Sequence, residues 1–226
     1  RNCRVLIIDP ATQKIVTQWG NTGRTHCYHK PPQYLGSPNG ATPMDNGDIL
    51  ITEIRGAGIT RITRAGKVVW DMPAPRIRYP SDAFPTVDGK QVIVADFMKP
   101  GRVVIFDPAT KKVTWEYFVE KGEAMLDHPS LARELPDTGD ILIADDLRHR
   151  VIVVDRKTKQ IVWRYKHPDR SFPFYSSPAV LADRVIVGGR DKMVHALDKK
   201  TGKALWTFAT GARVDSSPAI SGGLAY

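Results

Sequence analysis

The sequence predicts an all-β fold, a ring of five four-stranded antiparallel blades: a five-bladed β-propeller whose last blade is closed by both termini. Three observations predict it. A strand–turn–strand phrase recurs along the chain, and its tryptophans, Trp19, Trp70, Trp115, Trp163 and Trp206, fall 51, 45, 48 and 43 residues apart. That interval is the length of one four-stranded propeller blade. Between the tryptophans run alternating, β-branched segments bounded by Asp, Asn, Gly and Pro, and no useful length carries a helical period. The two ends read as complementary halves of one blade.

The elements follow in order. The chain opens with the strands "RVLIID" and "KIVTQW" around the turn "PATQ", the third and fourth strands of a blade. Each later blade starts with a short strand, a tight turn and a second strand: "GATPMDNGDILITE" (40–53), "DAFPTVDGKQVIVAD" (82–96), "LARELPDTGDILIAD" (131–145) and "PAVLADRVIVGG" (178–189). The Asp/Asn/Gly turns are those that reverse a strand tightly. The recurring phrase then completes the blade, as "RVVIFDPATKKVTWEYF" (102–118), "RVIVVDRKTKQIVWRYK" (150–166) and "MVHALDKKTGKALWTFA" (193–209). A shortened copy is "GITRITRAGKVVWDM" (58–72). The terminal "SSPAISGGLAY" (216–226) supplies a first strand and the start of a second. From Trp206 through the C-terminus and round to Trp19 is 39 residues, one further blade. The expectation is therefore a single domain over 1–226, with blades at about 37–73, 79–118, 127–166, 175–209, and 215–226 joined with 1–20. Closure of this kind hides strand edges that would otherwise aggregate.

Bulk properties narrow the function. Among 226 residues 42% are hydrophobic, enough for a sizeable core, yet no run of 18 apolar residues exists and membrane insertion is not expected. The opening "RNCRVLIIDP" lacks the plan of a signal peptide. The net charge is +9, but lysines such as Lys111, Lys112, Lys157, Lys159, Lys199, Lys200 and Lys203 sit in the repeated turns. They read as a solvated face. No basic stripe with interleaved aromatics exists to track a strand, so nucleic acid is not an expected partner. Cys3 and Cys27 leave one bridge or two free thiols open. Neither CxxC nor HExxH occurs, so the strong zinc signatures are absent.

Candidate site residues come from aligning the first strands on their shared alanine (Ala41, Ala83, Ala132, Ala179, Ala219). This places Ser37, Tyr79, His128, Tyr175 and Asp215 at one position on one face, with Asn39, Ser81, Ser130, Ser177 and Ser217 two residues later. The second strands return to that face and deliver Glu53, Asp96 and Asp145, with Arg55, Arg148 and Arg190 nearby. The repeated serines read as backbone caps, and the acids as ties for adjoining loops. As metal candidates, Glu53, Asp96 and Asp145 would suit Ca²⁺, which takes six to eight oxygens. The slot whose residue type varies is the better place for function. The ligand-binding set is Tyr79, Asp82, His128, Tyr175, Asp215, Asn39 and Arg190; His128 and Tyr79 are the candidates for catalysis. His26, Cys27 and His29 lie in the long loop 21–36, where an H-x-x-H spacing holds a metal only with a further ligand. His149 and His167 read as loop residues, and His195 as a side chain of a strand.

The stretches "SSPAV…DRVIVGGRDKMVHALDKKTGKALWTF" and "SSPAISGGLAY" resemble the pyrroloquinoline-quinone-like (PQQ-like) repeat over roughly the last 55 residues. Earlier, "YPSDAFPT", "HPSLAREL" and "GDILIADDLRHRVIVVD" resemble NHL and arylsulfotransferase-type bacterial propellers. The resemblance implies the fold and a periplasmic or secreted location; it implies activity only weakly, because propellers host enzymes, receptors and scaffolds alike. A PQQ dehydrogenase would be expected to carry an adjacent Cys–Cys pair, a stacking Trp and a calcium-binding Glu/Asn/Asp set. With no adjacent cysteines, PQQ is not expected here; no cofactor is, Ca²⁺ being the one ion the mouth's oxygens would suit. The leading expectation is a non-catalytic binding or scaffold module, natural composite or engineered, acting through its channel mouth on a protein, peptide or glycan. A closed ring needs no partner subunit, so a monomer is expected. The alternative is a propeller enzyme using a channel histidine: sulfotransferase-like, with His128 supported by Tyr79 and Arg190, or a metal-assisted lyase or lactonase, with Glu53, Asp96, Asp145 and His128 around a Ca²⁺ or Zn²⁺.

Overall fold

In the computed structural model, residues 3–23 and 27–226 are described. Alternating β-branched runs become strands throughout; the helical structure among the described residues is a single 3-10 turn at Asp146–Arg148. The chain divides into two compact units, Arg1–Asp96 with Val104–Glu116, and Phe97–Val103 with Tyr117–Tyr226.

In the first unit, β1 (Cys3–Ile8) and β2 (Ile15–Asn21) form an antiparallel pair, in register from Cys3 opposite Asn21 to Ile8 opposite Ile15. Next come β3 (Pro38–Pro43), β4 (Ile49–Glu53), β5 (Gly58–Ile62) and β6 (Val68–Pro73), a sheet in sequential order. The strands β7 (Pro80–Pro85), β8 (Val92–Asp96), β9 (Arg102–Asp107) and β10 (Lys112–Phe118) make a second meander, of which residues 102–103 and 117–118 are counted with the second unit. Every residue of β4 and β8 is buried, because both faces of the inner strands are covered. The two-residue period of a strand divides β4 between two cores. Ile49 and Ile51 join Trp19, Leu35 and Ile62, while Leu50 joins Ile59, Val94, Val104 and Phe106. Each such side chain contributes about 1.5–3 kcal/mol on burial.

The second unit holds β11 (Pro129–Glu134), β12 (Ile141–Asp145), β13 (Arg150–Val154) and β14 (Ile161–Tyr165), then β15 (Ala179–Val180), β16 (Arg184–Gly189), β17 (Met193–Asp198) and β18 (Ala204–Ala209). Both are four-stranded antiparallel meanders. Leu142, Val151, Val153, Trp163, Val185, Val187 and Leu197 pack into one core between them. β15 is only two residues long. The Ser176 hydroxyl explains this: it accepts from Gly188 N (2.7 Å) and donates to Gly188 O (3.0 Å), taking the place of ladder bonds. A last hairpin pairs β19 (Ile220–Ser221) with β20 (Leu224–Ala225). The two strand pairs read as halves of one blade, β1–β2 and β19–β20, are thus each present as a two-stranded sheet.

The recurring phrase has a local cause. Asp9, Asp107, Asp155 and Asp198 each accept a backbone N–H two residues on, from Ala11 (2.9 Å), Ala109 (2.7 Å), Lys157 (2.9 Å) and Lys200 (3.1 Å). Four residues after each aspartate the backbone turns left-handed, at Gln13, Lys111, Lys159 and Gly202. The tryptophan answers to the next sheet. Trp163 Nε1 donates to Lys199 O at 2.9 Å, and its ring lies against Gly202, where a Cβ would stand 2.5 Å from the indole. Trp19 lies likewise over the turn at Gly66, its indole nitrogen 3.4 Å from where a Cβ would be. In these two cases the turn of one repeat and the tryptophan of the preceding one are two halves of a single contact.

Candidate functional site

The acids ending β4, β8 and β12 each reach back to a backbone N–H upstream of their own sheet. Glu53 Oε2 accepts from Gly36 N and its Oε1 from Thr60 Oγ1 (2.8 Å). Asp96 Oδ1 accepts from Arg78 N (3.1 Å) and Tyr79 N (2.8 Å). Asp145 Oδ1 accepts from Asp127 N (2.7 Å), while its Oδ2 pairs with Arg150 Nε at 2.7 Å, both side chains fully buried. Arg150 also donates to Glu123 O and Met125 O. Burial raises the Asp145 pKa, against the pull of Arg150. The three acids considered for Ca²⁺ therefore sit on three different strands as loop anchors. Among the described residues no group of three or more His, Cys, Asp and Glu is placed to hold a metal.

So anchored, the loops of the second unit bring a row of side chains together. His128, in left-handed backbone (φ 55°), places Nδ1 2.7 Å from Asp127 Oδ1. Asp127 is gripped from its other oxygen by Lys99 Nζ at 2.7 Å. Burial alone would raise the Asp127 pKa; the bonds from Lys99 and His128 hold it below the usual carboxylate range. The Phe97 ring meets His128 edge-on at 5.0 Å and lies 6.4 Å from Tyr175. Over the Tyr175 ring, at 4.1 Å, stands the Arg190 guanidinium. Its Nε and Nη2 hold the two oxygens of Asp215 at 2.8 and 3.1 Å, and Arg213 Nε adds a third contact at 3.2 Å.

Beneath this row lies Asp146. It is fully buried, and Ser130 Oγ donates to its Oδ1 at 2.8 Å, while its Oδ2 has no hydrogen-bond partner among the described residues. Burial pushes its pKa well above the ordinary value; Ser130 and Arg190 oppose that shift and Asp145 adds to it.

Four of the seven residues expected to bind a ligand, His128, Tyr175, Arg190 and Asp215, thus form one continuous row. Asn39, Tyr79 and Asp82 belong to the first unit. Asn39 Nδ2 donates to Ser81 O (2.9 Å), Tyr79 N is held by Asp96, and the Asp82 carboxylate fills the space beside Gly40 that a Cβ would need. Sequence reasoning missed Phe97, Asp127, Asp146, Lys99 and Arg213. For Asp146 a signal existed: two aspartates in succession, where β4 and β8 end in one acid each.

Cys3 and Cys27 form a disulfide, Cα atoms 5.0 Å apart. His29 bridges Glu53 and Asp71 rather than turning to Cys27, and His26 lies outside the described residues. His195 is fully buried, between Tyr165 OH (3.0 Å from Nδ1) and Asp191 Oδ2 (2.9 Å from Nε2).

Known proteins share parts of this architecture. Residues 147–226 match the family model described as outer membrane protein assembly factor BamB, a PQQ-repeat model. Quinohemoprotein alcohol dehydrogenase ADH IIB of Pseudomonas putida is 28% identical over 139 residues, covering 57% of this chain and 20% of that enzyme. The crystal structure of BamB from Moraxella catarrhalis superposes with a TM-score of 0.56 at 17% identity, covering 80% of this chain and 52% of that one. The chain therefore spans a fifth of the dehydrogenase and about half of the BamB chain.

Proposed function

We propose that this PQQ-like β-propeller is a five-bladed, non-catalytic binding module that engages a protein partner through the row Phe97–His128–Tyr175–Arg190–Asp215. The observation that carries the reading is Arg190, stacked on Tyr175 and forked onto a half-exposed Asp215. Tyr and Arg held rigidly at a partly exposed site are the residue types that dominate binding energy at protein interfaces. Pre-organisation by stacking and by the fork lowers the ordering cost of binding. The likeness to BamB supports a scaffold role, because that protein is described as an assembly factor. It also supports an extracytoplasmic address, as does the Cys3–Cys27 disulfide, since such bonds persist in oxidising compartments.

One observation favours a second reading. The His128–Asp127 pair has the geometry of a base with its orienting acid, as a sulfuryl-transfer enzyme would need. Lys99 on the far oxygen of Asp127 weakens it, because part of the carboxylate's charge is already compensated. Thermal unfolding in the presence of EDTA, Ca²⁺, Zn²⁺, PQQ, an aryl sulfate and a small glycan panel separates the two. A ligand at a hundred times its dissociation constant adds about 2.7 kcal/mol of stability. The binding module gives no shift with these small molecules and no turnover; a shift with aryl sulfate that His128→Ala removes establishes the enzyme instead.

A further inference from the structure

The loop from Cys27 to Gly36 is fixed at both ends. Cys27 is bonded to Cys3 at the start of β1, and Leu35 is fully buried in the core with Trp19, Ile49 and Ile51. Between these anchors residues 28–34 lie on the surface, tied by few bonds. Lys30 and Tyr34 exchange backbone bonds (3.1 and 2.9 Å), Gly20 N donates to Pro32 O (2.8 Å), and the Tyr28 and Tyr34 rings stand 4.2 Å apart. Pro32, Gln33 and Tyr34 form one wall of a groove of about 600 Å³ whose other wall is Thr17, Gln18 and Trp19.

A further tie is His29. Its Nδ1 lies 3.0 Å from Glu53 Oε2 and its Nε2 2.8 Å from Asp71 Oδ2. Thr60 Oγ1 joins the two acids from behind, 2.8 Å from Glu53 Oε1 and 3.2 Å from Asp71 Oδ1. The carboxylates come from β4 and β6 and the imidazole from the loop. The other charged groups around it are Arg55, which donates to Cys27 O at 3.1 Å, and the neighbouring Lys30; Tyr28 is the adjoining phenol.

A carboxylate oxygen only accepts, so both ring nitrogens must donate, and only imidazolium carries two N–H groups. A neutral ring would turn a bare lone pair on one of the carboxylates. The two nitrogens sit on opposite edges of the ring and face different acids, so this is a bridge rather than a metal site. We propose that His29 is a proton-operated latch that holds the strap 28–34 against the groove wall when protonated and releases it when neutral.

Burial disfavours the charged ring, but the hydrogen bonds it donates to Glu53 and Asp71 outweigh it and the net pKa is raised. The sign follows. A raised folded-state pKa means that the latch is complete below the free-imidazole value of about 6.5 and is lost as the pH climbs through the raised value. Closure therefore belongs to mildly acidic conditions and opening to alkaline ones. Because Cys27 and Leu35 stay anchored, release is local.

The test is nuclear magnetic resonance on the intact chain, with the His29 ring nitrogens followed through a pH titration alongside the exchange protection factors of amides 20, 30 and 34. The expected result is a His29 titration above about 6.5 and loss of protection at the three amides over the same interval. In His29→Gln that pH-dependent loss disappears; in Asp71→Asn the sheet is retained and the titration moves down. A His29 that titrates at or below the free value, or protection that stays level through its titration, overturns the proposal. So does a loss that persists unchanged in His29→Gln.

Discussion

Arg190 lies with its guanidinium carbon 4.1 Å above the ring of Tyr175 while its fork closes on both oxygens of Asp215. The pair is half exposed, so its value for stability is small and its value for recognition is the larger one. Exposed ion pairs contribute about 1 kcal/mol or less. Arg190→Ala is expected to leave the melting profile near wild type, lowering stability by no more than that amount, while removing partner binding. Calorimetry beside a binding titration separates the two effects.

Beneath the row, Asp146 makes a prediction of opposite sense. Its folded-state pKa is raised by burial, so the folded chain holds this proton more tightly than the unfolded chain. Its contribution is present below about pH 3.9, the unfolded value, and is lost as the pH rises through the raised one. An asparagine in its place would still accept the Ser130 hydroxyl but has no charge to bury. Asp146→Asn should therefore melt higher than wild type at pH 8 and converge with it near pH 4; lower melting at pH 8 would refute the assignment.

The Arg150–Asp145 pair is fully buried, with Arg150 also bonded to two carbonyls. Removing one partner leaves a buried, uncompensated charge, at about 3–5 kcal/mol. Asp145→Ala should cost that much in urea unfolding and release the segment around Asp127, whose N–H it holds. A loss under about 1 kcal/mol would mean that solvent reaches the pair.

His195 titrates against the trend of His29. Burial lowers its pKa and Asp191 opposes that shift. The stability linked to its neutral form is present above about pH 6.5 and is lost as the pH falls through the depressed value. Tyr165, whose own pKa burial pushes up to about 12, holds the ring through its hydroxyl. Tyr165→Phe leaves a buried nitrogen unpaired, worth about 1–3 kcal/mol. Unfolding followed by hydrogen exchange should localise that loss to β14 and β17, with acid widening the gap from wild type.

Gly202 tests why the sequence repeats its phrase. It needs a left-handed backbone (φ 69°), and the Trp163 ring fills the space a Cβ would take. Gly222 shares the positive φ but has open space around it. Gly202→Ala should destabilise clearly more than Gly222→Ala in parallel melts; equal effects would reduce the Trp–Gly contact to a coincidence.

That contact also marks how far the sequence could be read. The strands were legible because period-two alternation and the Asp-plus-four turn are local, written within a dozen residues. The strands β3–β6, β7–β10, β11–β14 and β15–β18 form four four-stranded sheets. The site was legible only in part. Aligning repeats picked out His128, Tyr175 and Asp215, since equivalent positions occupy equivalent places in equivalent sheets. Phe97 and Arg213 stand outside the aligned slot and enter the row through loop conformation, which no period encodes. The His29 bridge was hidden for a similar reason: its partners Glu53 and Asp71 are 24 and 42 residues away. Spacing pointed instead to His26 and Cys27.

The central claim, partner binding without chemistry at the Tyr175–Arg190 row, is tested most directly by a photo-crosslinking residue at position 213, beside the row, in the cells that make the protein. The same residue at position 111, in the β9–β10 turn, serves as control. The account predicts a discrete protein adduct from position 213, none from 111, and loss of the adduct when Arg190→Ala is added. Absence of any adduct at 213, together with aryl sulfate turnover that His128→Ala abolishes, would contradict it.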